Sequence, residues 1–536
     1  MRILVFHGYL LGGTGSNVYN ARLAAAFVGQ GHEVHLLCQD RHPERLAFVD
    51  AAGDWDAGAL RVRELASSSP GAGSGSGGVG SCTTYRPNIG NLLPVYVADR
   101  YEGIEARTFA DCSEEQVAAY VEANVAAVAE LVERVSPELA LANHLVMGPV
   151  ILARALGGSV PYAVKVHGSA LEYTVKPNPE RFLAPAREGV QGARGILVGS
   201  HHTAASLWQA LDDPAVQTRT RLGPPGVDVE RFVPREAREA GAAIQALAVR
   251  LQQADRWDAA AGGDAFARDE QAAGRALATL VPGEDRLVAF VGKLIVSKGV
   301  DLLLAAWPLV LAQVPQAKLV VVGFGAYRDG FERLRDALAA GDLAQARAIA
   351  SAGRTLEGEA GGEGGEAKPL RHLLAFLEGL EGESRDRYLA AAQMLGERVV
   401  LTGRLDHEEL EDLLPACEAL VVPSTFPEAF GMVAAEAAAC GVLPVSAAHS
   451  GLAEVSEALA GAVPEPIAGL LSFPVDDQAV AAIAGRLVGW LQAPPELRAQ
   501  ARIGLVRTVR ERWSWDGVAR GVIAAARGEL DGLQKP

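Results

Sequence analysis

The sequence predicts an α/β protein of two domains, each built on a parallel sheet. Short continuous apolar runs, such as residues 3–6, 162–166 and 419–422, have the length of buried strands, and stretches of helical period separate them. Small or polar residues close these runs, as in loops at the carboxyl ends of parallel strands. A chain of 536 residues exceeds what one hydrophobic core supports, which sets two domains with room for insertions. Hydrophobic content of 49% with 21% charged residues fits a soluble globular chain. The net charge of −16 argues against general binding to nucleic acid or anionic membranes, while leaving room for a local basic pocket. No apolar run reaches the ~18 residues that span a bilayer, and Arg2 leads straight into the first strand, without space for a signal peptide. Five scattered cysteines form no close metal or redox pair. A reduced cytoplasm is the expected compartment, with peripheral membrane contact left open.

In chain order, residues 3–6 form a strand, the loop 7–16 (HGYLLGGTGS) opens a helix to about Gly31, and 33–38 form the next strand. Gly12, Gly13 and Gly15 lack the GxGxxG spacing of a nicotinamide site, and Asp40 lies two residues beyond Cys38, past the strand end where a ribose would need it. Residues 67–81 are glycine- and serine-rich and predict a mobile loop. A segment at 92–102 follows and is a candidate acceptor-facing stretch; 114–135 has helical spacing. Strands at 139–142, 162–166 and 195–198 end at Asn143-His144, His167-Gly168 and Gly199-Ser200. These segments compose a first domain over 1–225.

Residues 236–281, rich in alanine, arginine and glutamine, predict a helical insertion or linker. A second domain over 285–510 begins with the strand 286–291 and the loop GKLIVSKG, where Lys293 and Lys298 put two cations at a strand end, an arrangement suited to a diphosphate. Read singly, each lysine is equally a solvated surface residue. The strand 318–322 ends in Gly323-Phe324-Gly325. A second insertion, 342–397, surrounds the acidic glycine run 358–367, to which no chemistry is assigned. The sheet resumes at 399–402, followed by Gly403-Arg404. The final segment 511–536 predicts a helix with a packed apolar stripe.

The most informative stretch is 423–441, PSTFPEAFGMVAAEAAACG, which reads as a loop and helix after a buried strand. Glu428 lies at the strand end and Glu436 about two turns on, roughly 12 Å along a helix, so that two carboxylates reach opposite ends of an elongated polar ligand. Taken alone, Glu428 is also a helix-capping residue and Glu436 a solvated one. Together the segments resemble retaining glycosyltransferases of family 4, which have the GT-B fold: two Rossmann-like domains with parallel sheets facing a central cleft, and a C-terminal helix crossing back to the N-terminal domain.

The resemblance implies transfer of a sugar from a nucleoside diphosphate sugar to an acceptor hydroxyl. Glu428, with the backbone of Ala429, Phe430 and Gly431, would hold the donor sugar, and Glu436 the ribose. Lys293 and Lys298 would hold the diphosphate, while Gly323 and Arg404 would lie near the base. His167 would face the sugar, although a histidine in such a loop is otherwise a structural residue. Gly12, Gly13, Thr14 and Gly15 would border donor phosphate and acceptor, or else form a tight turn. No cofactor beyond the co-substrate and no metal is implied; the acceptor is a sugar, a lipid-linked molecule or another small molecule. Three positions depart from the family: Pro225 for asparagine, Lys293 for arginine, and Ser450 for a glycine, the last read as a small change. A sugar-nucleotide epimerase on the same fold and a non-catalytic nucleotide-sugar binding protein are the competing readings, and a pyridoxal-dependent phosphorylase fits the length poorly.

Overall fold

The computed structural model describes residues 1–12, 15–56, 58–65, 80–97, 104–254, 268–361 and 368–536. It resolves into two units, Met1–Gly226 with Trp513–Pro536, and Val227–Arg512. The glycine-serine run up to residue 79, residues 98–102 of the candidate acceptor segment, and 362–367 of the acidic run lie outside the described residues.

The first unit contains β1 (Arg2–Phe6), β2 (Glu33–Leu37), β3 (Ala51–Asp56), β4 (Ala59–Glu64), β5 (Ser81–Arg86), β6 (Leu92–Val95), β7 (Glu105–Thr108), β8 (Leu139–Asn143), β9 (Tyr162–Val166), β10 (Gly195–Val198) and β11 (Thr220–Leu222). Among the described residues they form a nine-stranded sheet ordered β11-β10-β9-β8-β1-β2-β5-β3-β4, with β6 and β7 paired separately. All neighbours in the large sheet run parallel except β3 and β4, an antiparallel edge pair. The central strands β8 and β9 are buried along their whole length, which is why they read as unbroken apolar runs.

The helix Trp515–Arg527 completes this unit. Ser514 caps it by accepting the Gly517 N–H, and Trp515, Ala519, Val522, Ile523, Ala525 and Ala526 pack into one core with Ile3, Val5, Tyr19, Leu139 and Leu141. Gly226 lies so close to the Trp515 ring that an added Cβ would stand 2.5 Å from it, so this approach requires glycine.

The second unit holds β12 (Arg286–Val291), β13 (Ala317–Val322), β14 (Val399–Gly403), β15 (Ala419–Val422), β16 (Leu443–Ala447) and β17 (Ser472–Phe473), a parallel sheet ordered β14-β13-β12-β15-β16-β17 among the described residues. Because these strands all run parallel, the loops after β12, β13 and β15 leave from one end of the sheet. The stretch expected as a linker supplies helices Ala237–Gln252 and Glu270–Leu277, which pack on each other and on β14 and the helix His407–Leu413. Arg235 pairs with Asp412 at 2.9 Å and Arg268 with Glu409 at 2.7 Å. The insertion after β13 forms helices Leu343–Ala352, Arg371–Glu378 and Gly382–Ala392, packed against Val300–Leu311 and Arg328–Ala339.

Candidate functional site

In the second unit, the loops after β12 and β15 are knitted together. The loop after β12 ends in a short turn, Val296–Lys298, before the helix Val300–Leu311. Gly299 then takes φ +64°, and an added Cβ would lie 2.0 Å from the Pro423 carbonyl oxygen. Only glycine permits both the left-handed backbone and this contact. Across the junction the Thr425 N–H and the Ser424 hydroxyl donate to the Ser297 carbonyl at 2.9 and 3.1 Å.

This junction brings Lys298 onto Glu428. The Lys298 ammonium donates to the Glu428 carboxylate, which also accepts the Ser424 hydroxyl at 2.8 Å. Their side chains stay 31% and 23% exposed, so both remain open to a ligand. Glu428 is fixed through its backbone as well: its N–H donates to the Ser450 hydroxyl oxygen at 2.9 Å, and its carbonyl accepts the Gly451 N–H at 2.9 Å. The His449 ring bridges the Ser450 hydroxyl at 3.0 Å and the Ser424 carbonyl at 2.8 Å. Ser450 holds φ +52°, a left-handed backbone that costs a non-glycine residue of the order of 1 kcal/mol. The serine is therefore no small change, because it accepts backbone strain and returns a hydroxyl that anchors Glu428.

Half-buried Ala429 and Phe430 and buried Gly431 lead into the helix Met432–Ala439. Gly451 packs beneath it, where an added Cβ would lie 2.6 Å from the Ala429 oxygen. Glu428 stands ahead of this helix, whose N-cap is Gly431, so it is not a capping residue. Glu436 is not solvated either: its side chain is 3% exposed and meets His407 Nε2 at 3.4 Å. Lys293 lies half-buried in the same loop as Lys298. Gly323 is explained by packing, since an added Cβ would fall 2.1 Å from the Gly292 oxygen. Arg404 pairs with Asp406 at 3.0 Å and lies over the Phe324 ring. A cavity of about 340 Å³ adjoins the Lys298 loop, lined by Val296, Asp301, Thr425, His449 and the insertion residues Pro369 and Arg371 among others. Among the described residues, no group of three or more histidines, cysteines, aspartates or glutamates is placed to hold a metal ion.

The first unit carries a separate polar cluster at the ends of β1, β8 and β9. His167 Nε2 meets Asn143 Oδ1 at 2.8 Å, and its ring lies 4.9 Å from both Tyr19 and His144. His7 is held by Asn17 at 2.9 Å and Asn20 at 3.0 Å. His144 is 2% exposed, takes φ +68° and finds no hydrogen-bond partner for either ring nitrogen among the described residues. Burial drives the His7 pKa down to about 4 and holds His144 and His167 well below the usual imidazole range, with neighbouring histidines adding to the effect. Burial likewise lowers Lys165, whose ammonium donates to the Gly223 carbonyl, to about 7. Of the glycine loop, Gly12 is held through its carbonyl by Asn17 at 2.7 Å, and an added Cβ at Gly12 or Gly15 would meet no described residue within 4 Å. Gly13 and Thr14 lie outside the described residues. Asp40 accepts the Leu11 N–H at 3.0 Å, so it braces this loop. Sequence reasoning found His167 but not His7 or Lys165, whose shared burial arises only when three strand ends meet.

Comparison with known proteins adds to this geometry. Residues 278–344 and 373–499 match the family described as Glycosyl transferases group 1. The solved sucrose-phosphate synthase from Thermosynechococcus elongatus aligns over 99% of both chains with a TM-score of 0.55 at 19% identity. The Anabaena Alr3699/HepE protein in complex with UDP and glucose aligns over 99% of this chain and 100% of that one, with a TM-score of 0.54 at 15% identity. The fold is GT-B. Within sequence reach, a D-inositol 3-phosphate glycosyltransferase from Segniliparus rotundus is 30% identical over 305 residues, 56% of this chain and 53% of that relative. An uncharacterized glycosyltransferase from Methanocaldococcus jannaschii is 23% identical over 244 residues, 45% of each. The chain thus spans about half the length of the curated relatives it matches. The break in the group 1 match, 345–372, falls inside the second insertion of this GT-B chain.

Proposed function

We propose that this chain is a retaining glycosyltransferase of family 4, moving a sugar from a nucleoside diphosphate sugar to an acceptor hydroxyl without a metal or further cofactor. The observation that carries the reading is the contact between Lys298 and Glu428 at the junction of two strand-end loops, inside the stretch that matches group 1 glycosyl transferases. A cation beside a carboxylate places a diphosphate next to a sugar hydroxyl. In this reading Lys298 and Lys293, with the first N–H groups of the helix Val300–Leu311, stabilise charge on the departing diphosphate. Glu428 and the backbone of Ala429, Phe430 and Gly431 accept and donate hydrogen bonds to the sugar.

The remaining assignments rest on the resemblance: Glu436 to the ribose, Gly323 and Arg404 to the base region, His167 to the sugar-transfer step, and Gly12, Gly13, Thr14 and Gly15 to phosphate or acceptor. The bond between the anomeric carbon and the diphosphate oxygen breaks, and its electron pair leaves with the diphosphate. The acceptor oxygen then bonds to the same face of that carbon and passes its proton to the leaving phosphate, so no covalent sugar–enzyme bond is required. Among the described residues no helix is long and apolar enough to cross a membrane; we assign the reaction to the cytoplasm, on a sugar, lipid-linked or other small acceptor.

A thermal-shift screen of UDP, GDP, ADP and their sugar conjugates, followed by product analysis with a panel of acceptors, tests the reading. One nucleotide should raise the melting temperature, and its sugar should be transferred with retained configuration in the presence of excess chelator. Glu428→Ala should lower transfer by roughly a hundredfold or more. Binding without transfer would favour a sensor, and turnover of donor to its epimer without acceptor would favour an epimerase.

A further inference from the structure

A side chain of the second insertion hydrogen-bonds the backbone of the Lys298 loop. Glu357 lies in a turn spanning Gly353–Gly361, within the stretch 345–372 that the group 1 match leaves out. Its side chain is 5% exposed. One carboxylate oxygen accepts the Val296 N–H at 2.8 Å, and the other accepts Arg354 Nε at 3.2 Å. Val296 opens the short turn that ends at Lys298. The Lys298 N–H closes that turn on the Ile295 carbonyl at 3.0 Å.

The turn carrying Glu357 is itself pinned. Gly353 takes φ +52° with an added Cβ 2.0 Å from the Lys368 oxygen, and the Arg354 N–H donates to that same carbonyl at 3.2 Å. Gly353 and Arg354 are thus tied to Lys368. The carboxylate of Glu357 therefore stands at a fixed place under the lysine loop. A charged acceptor makes a stronger bond to a backbone N–H than a neutral one, and low exposure shields that bond from water.

We propose that Glu357 is a positioning residue, which holds the Val296–Lys298 turn so that the Lys298 ammonium is presented beside Glu428 to the donor diphosphate. Two ties fix the turn from opposite sides. Gly299 against Pro423 registers it to the Glu428 loop, and Glu357 registers it to the insertion. Glu357 thus acts on diphosphate affinity through its hydrogen bond to the Val296 N–H. This inference rests on the reading of Lys298 as a diphosphate-binding residue.

Calorimetry on the full chain separates the two. Wild-type protein is titrated with UDP, GDP and ADP, and the one that binds is carried forward together with its nucleoside. Glu357→Ala should weaken the nucleoside diphosphate by roughly tenfold and leave the nucleoside unchanged, a split that general loosening of the fold does not produce. Glu357→Gln, whose amide oxygen still accepts the Val296 N–H, should stay within about threefold of wild type. Val296→Pro removes the same N–H at the first position of the turn, where proline is tolerated; it should reproduce the loss, and the double variant should add little to it. Diphosphate affinity at the wild-type level in folded Glu357→Ala or Val296→Pro overturns the proposal, as does an equal loss for nucleoside and diphosphate. Failure of all three diphosphates to bind the wild type defeats the reading of Lys298 itself and removes the positioning role with it.

Discussion

Three imidazoles, buried His7 and His144 and half-buried His167, form a cluster with buried Lys165, and all four have their charged forms disfavoured by desolvation. The sign of the consequence follows from proton counting. An unfolded histidine takes up a proton near its ordinary value of 6.5, whereas these folded ones resist it, His7 down to about 4. As pH falls below 6.5 the unfolded chain binds more protons and stability drops, by up to about 1.4 kcal/mol per pH unit for each histidine. Lys165 acts in a higher window: unfolded it stays charged to about 10.5, folded only to about 7, so stability climbs as pH rises between those values. Urea midpoints measured from pH 5 to 10 should show both slopes, with Lys165→Met flattening the upper one and His144→Gln reducing the lower one. Little of this cluster was legible in the sequence. The strand ends were visible as polar residues after apolar runs, but their convergence depends on sheet order, which a linear pattern does not contain.

The strand-end loops show the same limit one level up. Apolar runs marked β12, β13 and β15, and the signature at 423–441 marked the loop that carries Glu428. What holds that loop was hidden. Ser450 comes from the turn after β16, and Gly299 contributes only by its lack of a side chain. The stretch 236–281 reads as a helical insertion or linker from its composition; the partners of its arginines, Asp412 for Arg250 and Glu409 for Arg268, lie far along the chain on the helix His407–Leu413. Glu436 was read as either a ligand contact or a solvated residue, and burial against His407 removes the second option. The loop junction gives a direct test. Gly299→Ala forces a side chain into both a left-handed backbone and the Pro423 carbonyl, so it should cost about 2 kcal/mol or more in chemical denaturation. Gly12→Ala, where an added Cβ would meet no described residue within 4 Å, should cost well under 1 kcal/mol. Similar losses for the two would contradict the account of Gly299.

At the scale of the whole molecule, the chain leaves its first unit at Gly226 and re-enters it at Trp513. The re-entering helix contributes Trp515, Val522 and Ile523 to a core otherwise made from the first strands. Removing residues 513–536 should destabilise that unit by on the order of 5 kcal/mol, at about 1.5–3 kcal/mol per large apolar side chain lost. Limited proteolysis should then cut within Met1–Gly226 while the helices of Val227–Arg512 persist, whereas an equally resistant first unit would show the helix to be dispensable. The terminal stripe of apolar residues was readable as a packed helix, and its address was not, because nothing local tells a helix which distant sheet it will cover.

That address also sets an order in time. During synthesis the residues that cover Ile3, Val5 and Leu141 appear only after the 286 residues from Val227 to Arg512. At about 5–20 residues per second that interval lasts roughly 14 to 57 s. A core begun before that interval is therefore closed only after it, and its uncovered apolar face is the surface that a chaperone, or another nascent copy, would meet on the ribosome.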